Sequence, residues 1–356
     1  MSDLSSVFGK KVGDFNKKES ESPDFTGLKI PRDHYKMREE KRREMLYSFV
    51  IPCYNSGDTI RKVVELTVEE MDAEGRKNYE FILVNDCSPD GGKTLKVLKS
   101  LAEKFPYVKV IDFAKNAGQH HAILAGMKYA KGDILIGMDD DLQTHPSQLP
   151  KLFKKFEEGY DIVYGYYPEK KHSFFRNLVS KFNYWSVRIL IGKPKELKTS
   201  SFWVMKRFVK DYVIHYKVVY PYLQGMFLHT TQNIGCVPIE HFSREVGNSG
   251  YTLKKLFKLW SGIMGFSIIP LRIAMTVGNI FSAVGIIGAV CVVISKLLHP
   301  HMVVGWASMM SALFFFSGVI LFFIGVVGEY VGRIALNVNN EPGYVIREVI
   351  NEEEKQ

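Results

Sequence analysis

Three consecutive carboxylates, Asp139, Asp140 and Asp141, follow the apolar run Ile134-Leu-Ile-Gly-Met138, and Gln143 stands two residues further on. In a parallel α/β sheet such a run is a central strand, and ligands gather at strand carboxyl ends. Side chains alternate along a strand, so Asp139 and Asp141 are expected on one side and Asp140 on the other. Two carboxylates with an amide oxygen just beyond form a hard oxygen site, suited to Mg²⁺ or Mn²⁺ carrying a phosphate. The alternative is a plain acidic turn. Acids crowded at a strand end are costly unless they bind something, but from these residues alone both readings stand.

Other candidate chemistry is weaker. Residues 170–190 mix Lys, Arg and aromatics, and Arg176 and Ser180, four apart, share a helix face. Such a pair could hold a phosphate, and a solvated basic face is equally consistent. His120 and His121 open a predicted helix with side chains about 100° apart, which suits surface or nucleotide-edge residues better than metal ligands. Gly91-Gly92-Lys93-Thr94 resembles the end of a phosphate loop, but Cys87 stands where the first glycine is required. No GxGxxG follows the first strand, which disfavours a dinucleotide fold. Cys53, Cys87, Cys236 and Cys291 show no CxxC spacing. A reduced cytosolic setting fits them, without a disulfide framework or zinc site.

The elements that must position these residues alternate. Tyr47-Ser-Phe-Val-Ile-Pro-Cys-Tyr-Asn55 is a strand stopped by Pro52 and Asn55-Ser56-Gly57. A helix over 60–71 follows, with Asp58 or Thr59 as its cap. Strands over 79–84 and 108–113, helices over 94–104 and 120–130, and the acid-tipped strand complete a parallel core. Beyond it lie a helix over 149–158, a strand over 160–165, and later strands over 201–208 and 237–242. Polar residues at each strand's carboxyl end mark one ligand-binding edge. Residues 1–45 read as a mobile charged tail without a signal-peptide core.

The 356-residue chain carries a net charge of +9 and spreads its apolar residues unevenly. Residues 251–266 are amphipathic, with Lys254, Lys255 and Lys258 set against Leu253, Leu256, Phe257, Leu259 and Trp260, as in a helix lying in a membrane interface. Residues 273–294 and 303–327 are each long and apolar enough to cross a bilayer. Their serines and glycines favour close helix packing. The basic charge therefore points to anionic lipid rather than nucleic acid, for which no binding motif appears. Lysines beside the first span place the soluble part on the cytoplasmic face.

Taken in order, the motifs resemble family 2 glycosyltransferases of the GT-A fold, specifically membrane-anchored polyprenyl-phosphate glycosyltransferases and dolichol-phosphate mannose synthase. They are Ile51-Pro-Cys-Tyr-Asn55, Val84-Asn-Asp86-Cys-Ser88-Pro-Asp90, Asn116-Ala-Gly118, Met138-Asp-Asp-Asp-Leu-Gln143 with Pro146, and Arg244-x-x-Gly247-x-Ser249-x-Tyr251. The two-helix hairpin, Gly328-Glu-Tyr-Val-Gly-Arg333 and Glu341-Pro-Gly-Tyr344 complete the match. The resemblance implies an α/β GT-A domain over 46–250, interfacial helices over 251–270, a transmembrane hairpin over 271–331 and a cytoplasmic tail over 332–356. It implies that Pro52, Tyr54 and Asn55 line the nucleotide, that Asp86 bonds the base with Asn116 and Gly118 packed near it, and that Asp139 and Asp140 join this set. Asp139, Asp141 and Gln143 are implied to hold Mg²⁺ or Mn²⁺. Arg176 and Ser180 resemble acceptor-phosphate contacts, and Arg244 a clamp near the phosphates.

The implied activity is inverting transfer of one sugar from a nucleotide donor, UDP-linked in the leading reading, to a polyprenyl phosphate such as undecaprenyl phosphate. The setting is the cytoplasmic membrane, and family analogy implies a homo-oligomer, a tetramer. A polymerising family 2 enzyme and a non-catalytic nucleotide-binding membrane scaffold are the alternatives. The first would usually carry more spans and a Gln-x-x-Arg-Trp motif, which is absent; the intact acids disfavour the second. The chain departs from the family pattern at Ser56-Gly57, where Glu is frequent, and at Asn85, where Asp is common. It departs again at Tyr164-Gly-Tyr-Tyr167, which lacks an arginine, and at Gly250 in place of Lys.

Overall fold

The computed structural model describes residues 44–168, 188, 192–216, 218–240, 242, 269–298, 305–339 and 342–351. Arg176, Ser180 and Arg244, the charged segment 1–43 and the predicted interfacial stretch 251–268 lie outside the described residues.

Among the described residues eight strands form one sheet: β1 Tyr47–Cys53, β2 Tyr79–Asn85, β3 Val108–Phe113, β4 Ile134–Gly137, β5 Ile162–Tyr166, β6 Trp203–Lys206, β7 Ile234–Pro238 and β8 Ile346–Ile350. Their order is β7-β5-β6-β4-β1-β2-β3-β8. The expected parallel sheet holds for β1 to β4. It does not hold throughout, because β6 runs antiparallel to β4 and β5, and β8 antiparallel to β3. The helices are α1 Ile60–Ala73, α2 Lys93–Lys104, α3 Gln119–Tyr129, α4 Leu149–Phe156, α5 Arg207–Val213, α6 Leu223–Thr230, α7 Ile269–Leu298 and α8 Trp306–Val338. The last strand before the hairpin starts at Ile234 rather than 237, and the strand expected over 201–208 yields to α5 at Arg207. Thr59 caps α1 by position only, without a side-chain cap hydrogen bond.

The central strands read as continuous apolar runs because both faces are covered. Phe49, Ile51, Phe81, Leu83, Val110 and Ile136 pack with α1, α2 and α4 on one face. Val50, Ile82, Val84, Ile111 and Leu135 pack with α3, α5 and α6 on the other. A buried guanidinium braces the amino-terminal edge of the first layer. Arg76 pairs with Glu157 at 2.8 Å and lies 4.2 Å from the Phe153 ring centroid.

The two long helices contain windows, Ile269–Gly288 and Phe315–Val338, long and apolar enough to cross a membrane, and neither is buried within the protein. Apolar surface on that scale is not left to water. Phe281 meets Phe315 and Phe316 edge-on at centroid distances of 6.2 and 5.7 Å between the helices. Glu329 and Arg333, expected just past the second span, lie inside α8 and pair at 2.9 Å.

The stretch expected as a cytoplasmic tail contributes a strand to the sheet. Tyr344 stacks on Phe113, with centroids 5.0 Å apart and planes 8° from parallel, and Ile346–Ile350 adds to the sheet edge as β8. Ile346, Val349 and Ile350 favour a strand, but the exposed charged pair Arg347-Glu348 breaks the alternation over only five residues, and β3 supplies the pairing partner.

Gly126 on α3 sets the distance between helix and sheet. A Cβ there would stand 2.5 Å from Val50 Cγ1 and 3.2 Å from Val84 Cγ2. Gly126→Ala is expected to destabilise the fold by about 1–3 kcal/mol through overpacking. Thermal unfolding of the full chain in detergent checks this; an unchanged midpoint would show that α3 does not pack this closely.

Candidate active site

The carboxyl ends of β1, β2 and β4 converge on one edge, where each strand releases a polar loop. From β2 comes Asp86, buried at 4% exposure. Its Oδ1 accepts the Ala117 N–H at 2.6 Å, and its Oδ2 accepts the Gly118 N–H and the Asn116 Nδ2 at 2.9 Å each. Asp86, Asn116 and Gly118 are thus brought together, with the carboxylate engaged in shaping the loop that leads into α3. Gly118 has φ +92° and ψ 158°, a conformation open essentially to glycine alone.

From β1 come Pro52 and then Tyr54, Asn55 and Ser56. Asn55 sits at φ +59°, and Tyr54 is 48% exposed. This loop is tied to the acids. Tyr54 N–H donates to Asp140 Oδ2 at 3.1 Å, and the Ser56 hydroxyl donates to the same oxygen.

The acids themselves stand beyond the strand. β4 ends at Gly137, so the two-residue alternation expected to sort them does not operate, and the turn that carries them has Leu142 at φ +59°. Tertiary contacts sort them instead. Asp140 is held to the β1 loop. Asp139 accepts Gln119 Nε2 at 2.8 Å on Oδ1 and the Ser201 hydroxyl on Oδ2, while its own N–H donates to buried Thr144 at 3.2 Å. Asp141 accepts the Gln143 backbone N–H at 3.1 Å. The described bond of Gln143 to the acids is therefore through its backbone, and its carbonyl accepts the Tyr167 hydroxyl at 3.4 Å.

Burial, and then the charges of Asp141 and Asp140, push the Asp139 carboxyl up to about 7, against hydrogen bonds from Ser201 and Gln119. Asp140 is raised mainly by burial, offset by its Ser56 and Tyr54 donors. The Tyr167 phenol is raised by burial and by the nearby Asp139 and Asp141 charges. A cluster in which negative charge is this costly is one that gains from a cation. Among the described residues no three His, Cys, Asp or Glu side chains form a ready-made metal cage. A cation carried by a diphosphate does not need one, since it takes one or two carboxylates and fills its sphere with phosphate and water oxygens. The donor set present fits that case.

Ser56, Gln119, Thr144, Tyr167 and Ser201 escape sequence reasoning. Each comes from a different segment, and a lone Ser, Gln or Thr has no pattern that announces its partner. Ser56 and Tyr167 do fall where the chain departs from the family pattern, which is the one signal available.

This mixed α/β sheet, with charge gathered at the carboxyl ends of its parallel strands, is a GT-A-type nucleotide-diphospho-sugar transferase fold. The family model for "Glycosyl transferase family 2" matches residues 48–213, and that for the "GtrB C-terminal hairpin" matches residues 269–334. A Bacillus subtilis protein described as an uncharacterized glycosyltransferase, YkcC, is 33% identical over 319 residues, covering 88% of this chain and 97% of that one. Among solved structures, glucosyl-3-phosphoglycerate synthase from Mycobacterium tuberculosis with Mn²⁺ and UDP-glucose is similar at 16% identity and TM-score 0.45, covering 66% of this chain and 83% of the other. Mannosyl-3-phosphoglycerate synthase from Rubrobacter xylanophilus is similar at 16% identity and TM-score 0.43, covering 66% and 75%. At that distance the two structures speak to neither substrate nor metal. The chain belongs to glycosyl transferase family 2 and carries a GtrB-type C-terminal hairpin.

His120 lies beside this site at the start of α3, its ring 5.9 Å from that of Tyr222 and its Nδ1 buried without a hydrogen-bond partner among the described residues. Burial and the neighbouring His121 pull its pKa down from 6.5 to about 4. The folded state therefore favours neutral imidazole. Stability is expected to be full above pH 6.5, to fall by up to about 1.4 kcal/mol per pH unit towards pH 4, and to level off below. Unfolding midpoints of wild type and His120→Phe across this range check it: the variant should lose less, and parallel curves would refute the neutral-histidine reading.

Proposed function

We propose that this glycosyltransferase moves a single sugar from a nucleotide donor, UDP-linked, to a polyprenyl phosphate such as undecaprenyl phosphate, with inversion at the anomeric carbon. The observation that carries the reading is the union of two features in one chain. An acid cluster is held against the β1 loop by Tyr54 and Ser56, and the same chain ends in an apolar two-helix hairpin.

In this reading Pro52, Tyr54 and Asn55 line the nucleotide, with Asp86, Asn116 and Gly118 shaping the wall against which the base rests. Asp139 and Asp141, with Gln143 adjacent, would hold Mg²⁺ or Mn²⁺. When bound, the cation neutralises the diphosphate leaving group without proton transfer. Asp140 stays with the β1 loop and fixes the acids relative to the nucleotide. Arg176 and Ser180 are assigned to the acceptor phosphate, and Arg244 to the phosphates of the donor. An oxygen of the lipid phosphate attacks the anomeric carbon as the bond to the diphosphate breaks. That phosphate is already anionic near neutral pH, so no side chain need act as a strong base. The hairpin would keep the domain at the bilayer surface where such an acceptor resides, and the lysines at 254, 255 and 258 favour the cytoplasmic face.

The test incubates the full chain in detergent with Mg²⁺ or Mn²⁺, undecaprenyl phosphate and a panel of UDP- and GDP-sugars, with Asp141→Ala in parallel. One donor should yield an organic-soluble glycosyl phosphate that vanishes on chelation. In Asp141→Ala its rate should fall more than about 100-fold, beyond the range typical of groups that only support a metal ligand. Donor binding without lipid product would remove the acceptor assignment, and a polymeric product would favour chain extension.

A further inference from the structure

The segment that follows the membrane hairpin reaches the nucleotide side of the catalytic domain through one unbroken polar chain. β8 pairs with β3 at Val110↔Ile350, Ile111↔Val349 and Asp112↔Glu348, and then the register shifts, so that Phe113 faces Ile346. Arg347 is the extra residue of this irregularity. An extra residue in one strand of an antiparallel pair re-aims its side chain, and here Arg347 turns onto β3. Its Nη1 donates to Asp112 Oδ2 at 3.0 Å and its Nη2 to the Ala114 carbonyl at 3.3 Å.

Asp112 is fully buried, so its charge requires compensation. Its other oxygen, Oδ1, accepts Asn85 Nδ2 at 2.7 Å. Asn85 then uses its Oδ1 to accept both the Ser88 hydroxyl, at 2.7 Å, and the Ser88 N–H, at 3.3 Å. The Ser88 hydroxyl oxygen in turn accepts the Asn55 N–H at 3.1 Å. Asn55 belongs to the loop assigned above to the nucleotide and is held at positive φ.

Each link is directional. Asn85 faces Asp112 across the β2–β3 pairing, so an aspartate in its place would set two carboxylates against each other in the interior. The amide instead donates to Asp112 and passes an acceptor to Ser88. The departure at Asn85 and the buried Asp112 thus form one unit, completed by a cation from beyond the hairpin. The tail is anchored independently of Arg347. Lys99 on α2 pairs with Glu348 at 2.7 Å, the Ala114 N–H donates to the Val345 carbonyl at 2.8 Å, and Asn351 Nδ2 donates to the Ala102 and Val108 carbonyls at 2.7 and 3.0 Å.

We propose that Arg347 is a positioning residue for nucleotide binding: through Asp112, Asn85 and Ser88 it holds the Asn55 loop in its binding shape, so that the chain beyond the membrane hairpin completes the donor pocket. The proposal rests on the reading of the Asn55 loop as a nucleotide contact. It gives the hairpin a second consequence besides anchoring, because the chain must fold back from it for the pocket to be whole.

The experiment uses the full chain in detergent and titrates UDP and GDP, each with Mg²⁺, by calorimetry. It compares wild type, Arg347→Met, Arg347→Lys and the double variant Arg347→Met/Asp112→Asn, and follows hydrogen exchange of the Asn55 amide. Arg347→Met should weaken nucleotide binding about tenfold, a size typical of groups that orient a ligand without touching it, and should speed exchange at Asn55. Turnover at saturating donor should stay near wild type, a split between KM and kcat that general loosening of the fold would not produce. Arg347→Lys should recover part of the affinity. The double variant should recover more, since it removes the buried charge together with its partner and keeps the test open if the single variant folds poorly. Unchanged affinity in Arg347→Met overturns the proposal. If wild type itself binds neither nucleotide, the proposed function fails first, a result told apart by the wild-type titration alone.

Discussion

Asp86 accepts two backbone N–H groups and a side-chain amide from residues 116–118, and much of the site is arranged by this one carboxylate. The loop it gathers fixes where α3 begins. From the first residue of that helix, Gln119 reaches Asp139. Asp139 is joined on its other oxygen by Ser201, which brings the segment before β6 into the same cluster. Three connections far apart in sequence are thus held in one place by oxygens that must be satisfied because they are withdrawn from water. A charge-assisted contact from carboxylate to backbone N–H suits this task, being short and directional.

Charge is placed where the sheet can tolerate it. Between its layers the strands carry aliphatic and aromatic side chains on both faces, so ionised groups are confined to strand ends and to the edge. At the amino-terminal edge Arg76 is balanced by Glu157 and by aromatic faces. At the carboxyl ends three aspartates are crowded together, and burial with the charges of Asp141 and Asp140 raises the Asp139 carboxyl to about 7. One end of the sheet pairs a buried cation with a carboxylate, and the other gathers carboxylates whose negative charge is costly. That asymmetry, rather than the count of acids, separates a binding edge from a structural one.

The hairpin and the catalytic domain are joined covalently at both ends. The chain leaves the sheet region, runs through α7 and α8, and returns to add β8 beside β3. Sheet edges invite pairing with foreign strands, and here β8 covers β3 and becomes the outer strand itself, short and carrying Arg347 and Glu348. The apolar surface of α7 and α8 is a different matter: its exposed faces ask for lipid.

The local sequence determined a good deal of this protein. The apolar runs of β1 to β4, the helices between them, the two long apolar spans and the acid cluster were all legible, because periodicity, turn residues and composition act over a few neighbours. The structure brings Asn116, Gly118 and Asp86 together, with the carboxylate shaping the loop. Tertiary structure decided the rest. Asp139 and Asp140 take their orientations from Gln119, Ser201, Tyr54 and Ser56, not from strand alternation, since β4 stops at Gly137. Whether a strand runs antiparallel depends on the neighbour it finds, so β6 and β8 could not be oriented from their own residues. The five residues of β8 include three β-branched side chains but do not alternate, and so short a run is fixed as a strand only when β3 offers its edge. Arg347 has no visible role until a shift in register turns it onto Asp112. Patterns along a chain report burial and period; which polar groups meet is settled only when distant segments close around them.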